Sequence, residues 1–201
     1  VLNNASLVQK GTDITLDKRK PLTVGFLGNL TREKGVIEAL ATMRTISELH
    51  SDLSFLIAGP LVDAEVSESL DAFVSCDPVR RKHLGLVTGT EKQAFYQDVD
   101  ILLFPTKYKN EAQPLTIYEG LANGCVVLAT PFGGIPEQLA GLNTCFESED
   151  YLSKSVELIR EWIDQPEKLN AAQIAARDQF ERHRKVSEKQ LSELEDALCS
   201  Q

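Results

Sequence analysis

Short apolar runs alternate with more polar segments along most of the chain. Each run is five to eight residues long, and most are apolar throughout instead of alternating with polar residues. Continuous apolar runs of this length are typical of strands that are covered on both faces of a sheet. The six runs are LTVGFLG (22–28), LSFLIAGP (53–60), HLGLVTG (83–89), DILLFPT (100–106), CVVLAT (125–130) and NTCFE (143–147). We therefore expect a sheet of about six strands.

The segments between these runs have the apolar spacing or the length of helices. They are KGVIEALATMRTISELH, VSESLDAFVSC, TEKQAFYQD, PLTIYEGLANG and IPEQLA. Strands that alternate with helices are joined by right-handed crossovers and form a mainly parallel sheet. The pattern predicts a doubly wound α/β domain.

The two ends of the chain depart from this alternation. Residues 1–20 are polar and end in a basic run, which predicts an arm or linker before the α/β domain at 21–165. After residue 150 two helical patterns follow each other, and the second begins near Pro166. We expect residues 166–201 to form a C-terminal helical tail.

The composition is that of an ordinary globular domain. Of the 201 residues, 42% are hydrophobic and 25% are charged, and one domain is the expected number. The chain begins with Val1 and its single methionine is Met43, which favours a mature form or an excised fragment. The N-terminal residues lack the pattern of a signal peptide, and no run of about 18 apolar residues suggests a membrane span. The sequence predicts a soluble, cytoplasmic protein.

The net charge of −9 argues against a nucleic-acid-binding protein, because phosphate neutralisation needs clustered Lys and Arg. A local basic patch for one small phosphate remains compatible with this charge. The four cysteines and three histidines are scattered, and no C-x-x-C pair occurs. We therefore expect reduced cysteines and no metal site.

In a doubly wound sheet, ligands bind outside the carboxyl ends of the strands. Candidate functional residues are therefore those that directly follow the predicted strands. These segments are residues 28–35, 59–60, 87–90, 105–119 and 130–137.

Two glutamates, Glu111 and Glu119, lie on either side of a predicted helix start in the fourth of these segments. Pro114 suits the first position of a helix, so we expect the helix to begin near Gln113. A helix start attracts phosphate through free N–H groups and a partial positive charge, which the carboxylates would oppose if they faced it. They fit if each points to hydroxyl groups instead, as in a nucleotide-sugar with its diphosphate between ribose and hexose. The alternative is that both glutamates are ordinary solvated surface residues.

The segment VDILLFPTKYKNEAQPLTIYEGLANGCVVLATPFGGIPEQL resembles the signature region of family 4 glycosyltransferases, which are retaining enzymes of the GT-B fold. Their pattern is a strand ending in Pro-Ser or Pro-Thr, an E-x7-E motif, an alanine-glycine turn, another strand and a Gly-Gly-x-x-Glu loop. The matching residues are, in order, Pro105, Thr106, Glu111, Glu119, Asn123, Gly124, Gly133, Gly134 and Glu137. The resemblance covers about residues 21–165 and implies the Rossmann-like C-terminal half of the GT-B fold.

The resemblance also implies roles for residues around the helix start. Glu111 would contact the transferred sugar as a catalytic residue, and Glu119 would bind the ribose hydroxyls. The main-chain amides near Leu115 and Thr116 would meet the diphosphate.

The first predicted strand ends in GNLTREKG, which resembles the G-R-L-x-x-x-K-G phosphate loop of the same family. Lys34 would neutralise the leaving diphosphate as a second catalytic residue, and Gly28 and Asn29 would line the donor. Asn29 stands where many members have arginine, which removes one cation, and the role of Arg32 stays open. The alternative for Lys34 is a solvated lysine in the first turn of a helix, where a lysine without an anion is unfavourable. The loop is not a Rossmann fingerprint, because it lacks G-x-G-x-x-G, and it is not a Walker A loop, because Gly35 instead of Ser or Thr follows the lysine.

Three further residues have donor contacts by resemblance. HLGLVTGTEKQAFY resembles the family segment whose backbone lies along the nucleobase, so Val87 is either a base contact or a buried strand residue. Gly133 and Gly134 would border the donor sugar.

The sequence DVD, from Asp98 to Asp100, has the form of the metal–nucleotide motif of the other major glycosyltransferase fold. It precedes a predicted strand and so falls on the wrong edge of the sheet for this site.

Taken together, the resemblance implies the C-terminal, donor-binding domain of a glycosyltransferase of the hexosyltransferase type. Such enzymes transfer a sugar from a UDP- or GDP-sugar to an acceptor without a metal or a cofactor, and many of them build polysaccharides or glycolipids. The expected partners are the nucleotide-sugar and a missing N-terminal acceptor domain, without which this chain should transfer little. Nucleic acid is not an expected partner, and peripheral membrane contact of the full protein stays open. Two alternatives are a non-catalytic nucleotide-sugar-binding module and a GT-B-type nucleotide-sugar epimerase.

Overall fold

The computed structural model describes residues 3–9, 11 and 21–199. Most of the predicted arm at 1–20 therefore lies outside the described residues, as do the last two residues of the predicted tail. Within the arm, a short 3-10 helix spans Asn4–Leu7. The Asn3 side chain accepts a hydrogen bond from the Ala5 amide at its start.

Five strands form one parallel sheet: β1 (Thr23–Leu27), β2 (Ser54–Ala58), β3 (Arg81–His83), β4 (Ile101–Phe104) and β5 (Val126–Ala129). Their order across the sheet is β3-β2-β1-β4-β5, and every neighbouring pair is parallel. This arrangement confirms the predicted doubly wound α/β fold. The winding reverses between β1 and β4, and such a reversal leaves a crevice at the carboxyl ends of the strands.

Seven helices complete the described part of the chain: α1 (Val36–Leu49), α2 (Ala64–Ser75), α3 (Gly89–Asp98), α4 (Leu115–Ala122), α5 (Ile135–Gln138), α6 (Tyr151–Asp164) and α7 (Pro166–Cys199). Each helical pattern of the sequence corresponds to one of them. The second of the two helical patterns after residue 150 begins at Pro166, as expected.

Two strand predictions were wrong in extent. The run at 83–89 predicted a strand, but β3 ends at His83, because the chain turns at Gly85 with a φ of +68°. The run at 143–147 predicted a sixth strand, but it forms only one parallel bridge, between Cys145 and Ala129. Asn143 has a left-handed φ of +55°, which prevents an extended strand from starting there.

Both faces of the sheet are covered, as the continuous apolar runs predicted. In β4, Ile101 and Leu103 face a cluster formed with α1, α2 and α6, while Leu102 and Phe104 face a second cluster formed with α4 and α7. All four side chains are buried. Packed helices therefore hold the sheet on both faces, including the carboxyl ends of the strands, where the candidate residues lie.

The long helix α7 packs on the same domain over much of its length. Leu169 belongs to the first cluster, and Ala176 and Phe180 belong to the second together with Ala5 and Val8 of the N-terminal segment. The side chains of residues 192–199 are exposed. In the described ranges no helix is both long and apolar enough to cross a membrane.

Candidate functional site

Two loops meet where the winding of the sheet reverses. One follows β1 and carries Lys34 and Gly35, and the other follows β4 and carries Pro105 and Glu111. Gly35 has a φ of +79°, and a Cβ atom there would lie 1.8 Å from the carbonyl oxygen of Pro105. The Lys107 amide also donates to the Glu33 carbonyl at 2.8 Å. The glycine is thus required for the close approach that locks the loops together.

Lys34 and Glu111 form an ion pair across these loops. The Lys34 ammonium lies 2.6 Å from Oε2 of Glu111, and the two side chains are 28% and 10% exposed. The Thr106 hydroxyl donates to the same carboxylate oxygen at 3.3 Å. The ammonium also lies 4.6 Å from the centre of the Tyr108 ring, within cation–π distance. The lysine therefore reaches out of the phosphate-loop candidate toward the start of α4.

Glu119 forms a second ion pair, one turn into α4. The Lys92 ammonium lies 2.5 Å from its Oε1 atom. The Tyr96 hydroxyl donates to its Oε2 atom at 2.9 Å. Burial, followed by the charge of Glu119, raises the pKa of Tyr96 well above its usual value, so the hydroxyl keeps its proton and remains a donor. Two residues of α3 thus hold one carboxylate of α4.

The start of α4 lies between the two glutamates in sequence and has no side-chain cap. Pro114 precedes the helix with an extended conformation, and the Ile117 amide donates to its carbonyl at 3.2 Å. Within the described residues no oxygen accepts a hydrogen bond from the Leu115 or Thr116 amide. Leu115 is exposed and Thr116 is half-buried, so the helix start opens to solvent.

The glycine loop after β5 packs on the backbone of the Glu111 segment. Gly133 has a φ of +55°, and a Cβ atom there would lie 1.5 Å from the Glu111 carbonyl oxygen. The Gly134 amide donates to the Ala112 carbonyl at 2.6 Å. The structure therefore brings Gly133 and Gly134 to Glu111, as close neighbours of its main chain.

The remaining candidates lie along the carboxyl edge without joining either ion pair. Gly28 follows β1 and donates its amide to the Ala58 carbonyl at 3.1 Å. Asn29 is exposed, and Val87 is half-buried in the loop between β3 and α3. Arg32 pairs with Glu65 of α2 at 2.8 Å, and both side chains are mostly exposed.

Three residues that contact the glutamates, and one that contacts Lys34, were not singled out for these contacts by the sequence. They are Lys92, Tyr96, Thr106 and Tyr108. Lys92 and Tyr96 are four residues apart, so they share one face of α3. This spacing was the available sign that the two side chains could bind the same group. Which residues that face of α3 contacts depends on tertiary packing, which the spacing does not give.

The D-x-D sequence has a structural role at the opposite edge of the sheet. Oδ2 of Asp100 accepts a hydrogen bond from the Thr23 amide at 2.9 Å, and Oδ1 accepts one from the Gln173 side chain at 3.4 Å. The carboxylate thus joins the amino ends of β1 and β4 to α7.

The sequence also matches a family as a whole. The model of the family described as glycosyl transferases group 1 matches residues 12–179. The chain belongs to this family. The part that matches the group 1 glycosyl transferases includes both ion pairs and the open helix start.

Solved glycosyltransferases have the same fold. The C-terminal domain of a group 1 family protein (LpcC) from Francisella tularensis is 19% identical, with a TM-score of 0.68 over 81% of this chain and 87% of that one. The pneumococcal O-GlcNAc transferase GtfA, in complex with UDP and GlcNAc, is 17% identical, with a TM-score of 0.69 over 90% and 36%. Sucrose-phosphate synthase from Thermosynechococcus elongatus is 18% identical, with a TM-score of 0.70 over 90% and 46%. The chain thus spans most of an isolated C-terminal domain but less than half of each longer enzyme.

The similarity to these structures establishes the GT-B Rossmann-like fold. A comparison with curated proteins gave no match.

Proposed function

We propose that this chain is the donor-binding domain of a retaining, family 4-like glycosyltransferase. The donor is a nucleoside-diphosphate sugar, with uridine or guanosine as the nucleoside, and the transfer needs no metal or cofactor. The observation that carries the proposal is the placement of two lysine-paired glutamates on either side of an uncapped helix start at the reversal of the sheet.

The ion pairs explain how carboxylates can flank an anion site. Each glutamate has its own lysine, so the charges of Lys34 and Glu111, and of Lys92 and Glu119, cancel locally. The remaining positive field is that of the open helix start, which favours phosphate. A diphosphate at the Leu115 and Thr116 amides would therefore meet donors without facing a net negative charge.

The roles follow from this placement together with the family resemblance. Lys34 stabilises the negative charge that develops on the leaving diphosphate, while Glu111 accepts a hydrogen bond from a hydroxyl of the transferred sugar. Glu119 accepts hydrogen bonds from the ribose hydroxyls, with its carboxylate oriented by Tyr96. The glycosidic bond breaks with its electron pair going to the diphosphate, and the acceptor oxygen forms the new bond on the same face. The acceptor proton goes to the leaving phosphate.

The acceptor is bound by a domain other than this one. The chain covers only 36% and 46% of the two longer structures that share this fold. Each of them is therefore more than twice as long as the part that the chain matches. We infer an acceptor-binding domain in the full protein, facing the carboxyl edge of the sheet.

The proposal is tested by calorimetric titration of the chain with UDP, GDP and ADP, in the presence and absence of EDTA. Either UDP or GDP should bind more tightly than the other two diphosphates, and EDTA should not change its affinity. Lys34→Met should weaken it about tenfold, because a charge-assisted hydrogen bond is lost. Lys107→Met is the matched control, because Lys107 pairs with Glu38 next to the same loop and should have an effect below about twofold.

Three results would contradict the proposal. Absence of binding by all three diphosphates at millimolar concentration would exclude a donor site in this chain. Equal losses in the two lysine variants would show that Lys34 has no specific role. Loss of binding in EDTA would contradict metal independence.

A further inference from the structure

Three consecutive carbonyl groups in the segment between Glu111 and α4 accept hydrogen bonds from outside the segment. The Ala112 carbonyl accepts from the Gly134 amide at 2.6 Å. The Gln113 carbonyl accepts from Nδ2 of Asn4 at 3.1 Å. The Pro114 carbonyl accepts from Nε2 of Gln138 at 3.2 Å. Residues 111–113 belong to no helix or strand, so these bonds define the path of the segment.

Asn4 holds Gln113 by two hydrogen bonds. In addition to the bond to its carbonyl, the Asn4 amide donates to Oε1 of Gln113 at 3.0 Å. Asn4 is itself fixed, because the 3-10 helix that contains it is anchored by the buried Ala5 and by Ser187 of α7, whose hydroxyl donates to the Asn3 carbonyl at 2.8 Å. The N-terminal segment therefore connects α7 to the residues that present Glu111.

Gln138 holds the segment from the other side. Its side chain is fully buried at the end of α5, and its own carbonyl accepts a hydrogen bond from Gln179 of α7 at 3.3 Å. The Pro114 carbonyl, which Gln138 binds, also accepts the first hydrogen bond of α4. A shift of Gln138 would therefore move the start of that helix.

We propose that Asn4 and Gln138 are positioning residues of the donor site, which together set the spacing between the Glu111 carboxylate and the first amides of α4. This inference rests on the proposed function. Simultaneous binding of the diphosphate and the sugar requires their protein contacts to be held within about 0.5 Å of the productive geometry. Asn4 lies before residue 12, where the family match begins, so this contribution comes from outside the matched region.

Two adjacent asparagines allow a closely matched test. Nδ2 of Asn4 donates to the Gln113 carbonyl at 3.1 Å, and Nδ2 of Asn3 donates to the His183 carbonyl at the same distance, 3.1 Å. Asn4→Asp and Asn3→Asp each replace the donor by a carboxylate oxygen and add one negative charge. Asn3→Asp keeps the oxygen that caps the 3-10 helix. Only Asn4→Asp disturbs the segment before α4.

The experiment measures two quantities in the 201-residue chain and its variants. The first is the affinity for whichever of UDP, GDP and ADP binds the wild type most tightly. The second is the amide exchange rate of Gly134 by NMR, which reports directly on its bond to Ala112. Asn4→Asp should weaken binding about fivefold, because a smaller fraction of the chain holds the competent geometry, and should speed Gly134 exchange by a similar factor. Asn3→Asp should leave both quantities within about twofold of the wild type.

Gln138→Met removes the second donor without changing the side-chain volume greatly, and it should reproduce both effects. Suppose that the wild type binds a diphosphate and that Asn4→Asp and Gln138→Met both bind it as tightly as the wild type does. The positioning role is then overturned, while the proposed function stands. Equal effects of Asn4→Asp and Asn3→Asp would also overturn it, because they would reflect charge or general loosening. If the wild type binds none of the diphosphates, the proposed function fails, and this inference fails with it.

Discussion

The ammonium of Lys34 lies 2.6 Å from the carboxylate of Glu111, although the two residues are 77 positions apart in sequence. The sheet order causes this contact, because β1 and β4 are neighbours and the loops after them meet at the reversal of the winding. The pair joins the phosphate-loop candidate to the E-x7-E segment. The donor site that we propose depends on this contact and on its counterpart between Lys92 and Glu119.

Lys34→Met should lower stability as well as diphosphate binding. The substitution leaves a carboxylate that is only 10% exposed without its cation. We expect a loss of about 1 kcal/mol in the free energy of unfolding by urea, since the lysine is itself partly exposed. Adding Glu111→Gln should restore most of this stability but not the binding. A double variant as unstable as the single one would show that the pair does not account for the loss.

Glu119→Gln should separate recognition of the nucleoside from recognition of the phosphates. We expect the affinity for the preferred nucleoside diphosphate to fall about tenfold, because charge-assisted hydrogen bonds to the ribose are lost. Binding of inorganic pyrophosphate, which has no ribose, should stay within about twofold of the wild type. Lys34→Met is the comparison, since it should weaken both ligands. Equal weakening of both ligands by Glu119→Gln would contradict the ribose role.

Gly133→Ala should destabilise the chain more than Gly85→Ala. Both glycines have left-handed backbones, with φ of +55° and +68°. A Cβ atom at Gly133 would overlap the Glu111 carbonyl oxygen, whereas nothing lies within 4 Å of one at Gly85. We expect about 1 kcal/mol of lost stability at Gly85 from backbone strain, and at least about 2 kcal/mol more at Gly133. Urea unfolding measures both, and similar losses would show that the loop can relax away from Glu111.

Stability should fall in mild acid because of His183. Burial, followed by the charge of Arg182, lowers the pKa of this imidazole, which lies 2.9 Å from both the Tyr118 hydroxyl and the Gln179 side chain. Between the unfolded pKa of about 6.5 and the lower pKa of the folded state, the unfolded chain binds a proton that the folded chain does not, so the free energy of unfolding decreases as the pH falls through this range. Above this range the group is neutral in both states and has no effect.

The measurement is the urea midpoint at a series of pH values between neutrality and mild acid. In His183→Gln the urea midpoint should decrease less than in the wild type as the pH falls. His50→Gln is the control for loss of an imidazole elsewhere, since His50 lies at the end of α1, outside this network. The same slope in wild type and His183→Gln would rule out a contribution from His183.

Much of the fold could be predicted because the strands are buried on both faces. Continuous apolar runs located β1, β2, β4 and β5, and their alternation with helices indicated the parallel order. The strand prediction failed at HLGLVTG, where Leu86 is 68% exposed and Gly85 turns the chain. Apolar composition alone does not distinguish a buried strand from a loop with exposed leucines.

The candidate site could be predicted less completely. In a doubly wound sheet the ligand lies at the carboxyl ends of the strands, and this rule places Lys34 and Glu111 at the same edge. The structure brings the two residues together. The side chains that bind Glu119 could not be predicted in the same way, because Lys92 and Tyr96 lie 27 and 23 positions before it in sequence and reach it only through tertiary structure. Asn4 was assigned to a polar arm for the same reason, since its partner Gln113 is 109 positions away.

The most direct test of the account is to map the binding of the preferred nucleoside diphosphate onto the chain by its amide NMR shifts. We expect the largest changes at Leu115 and Thr116, followed by the loop around Lys34, at the carboxyl edge of the sheet. Changes concentrated instead around Asp98 and Asp100, at the opposite edge, would contradict the proposed donor site.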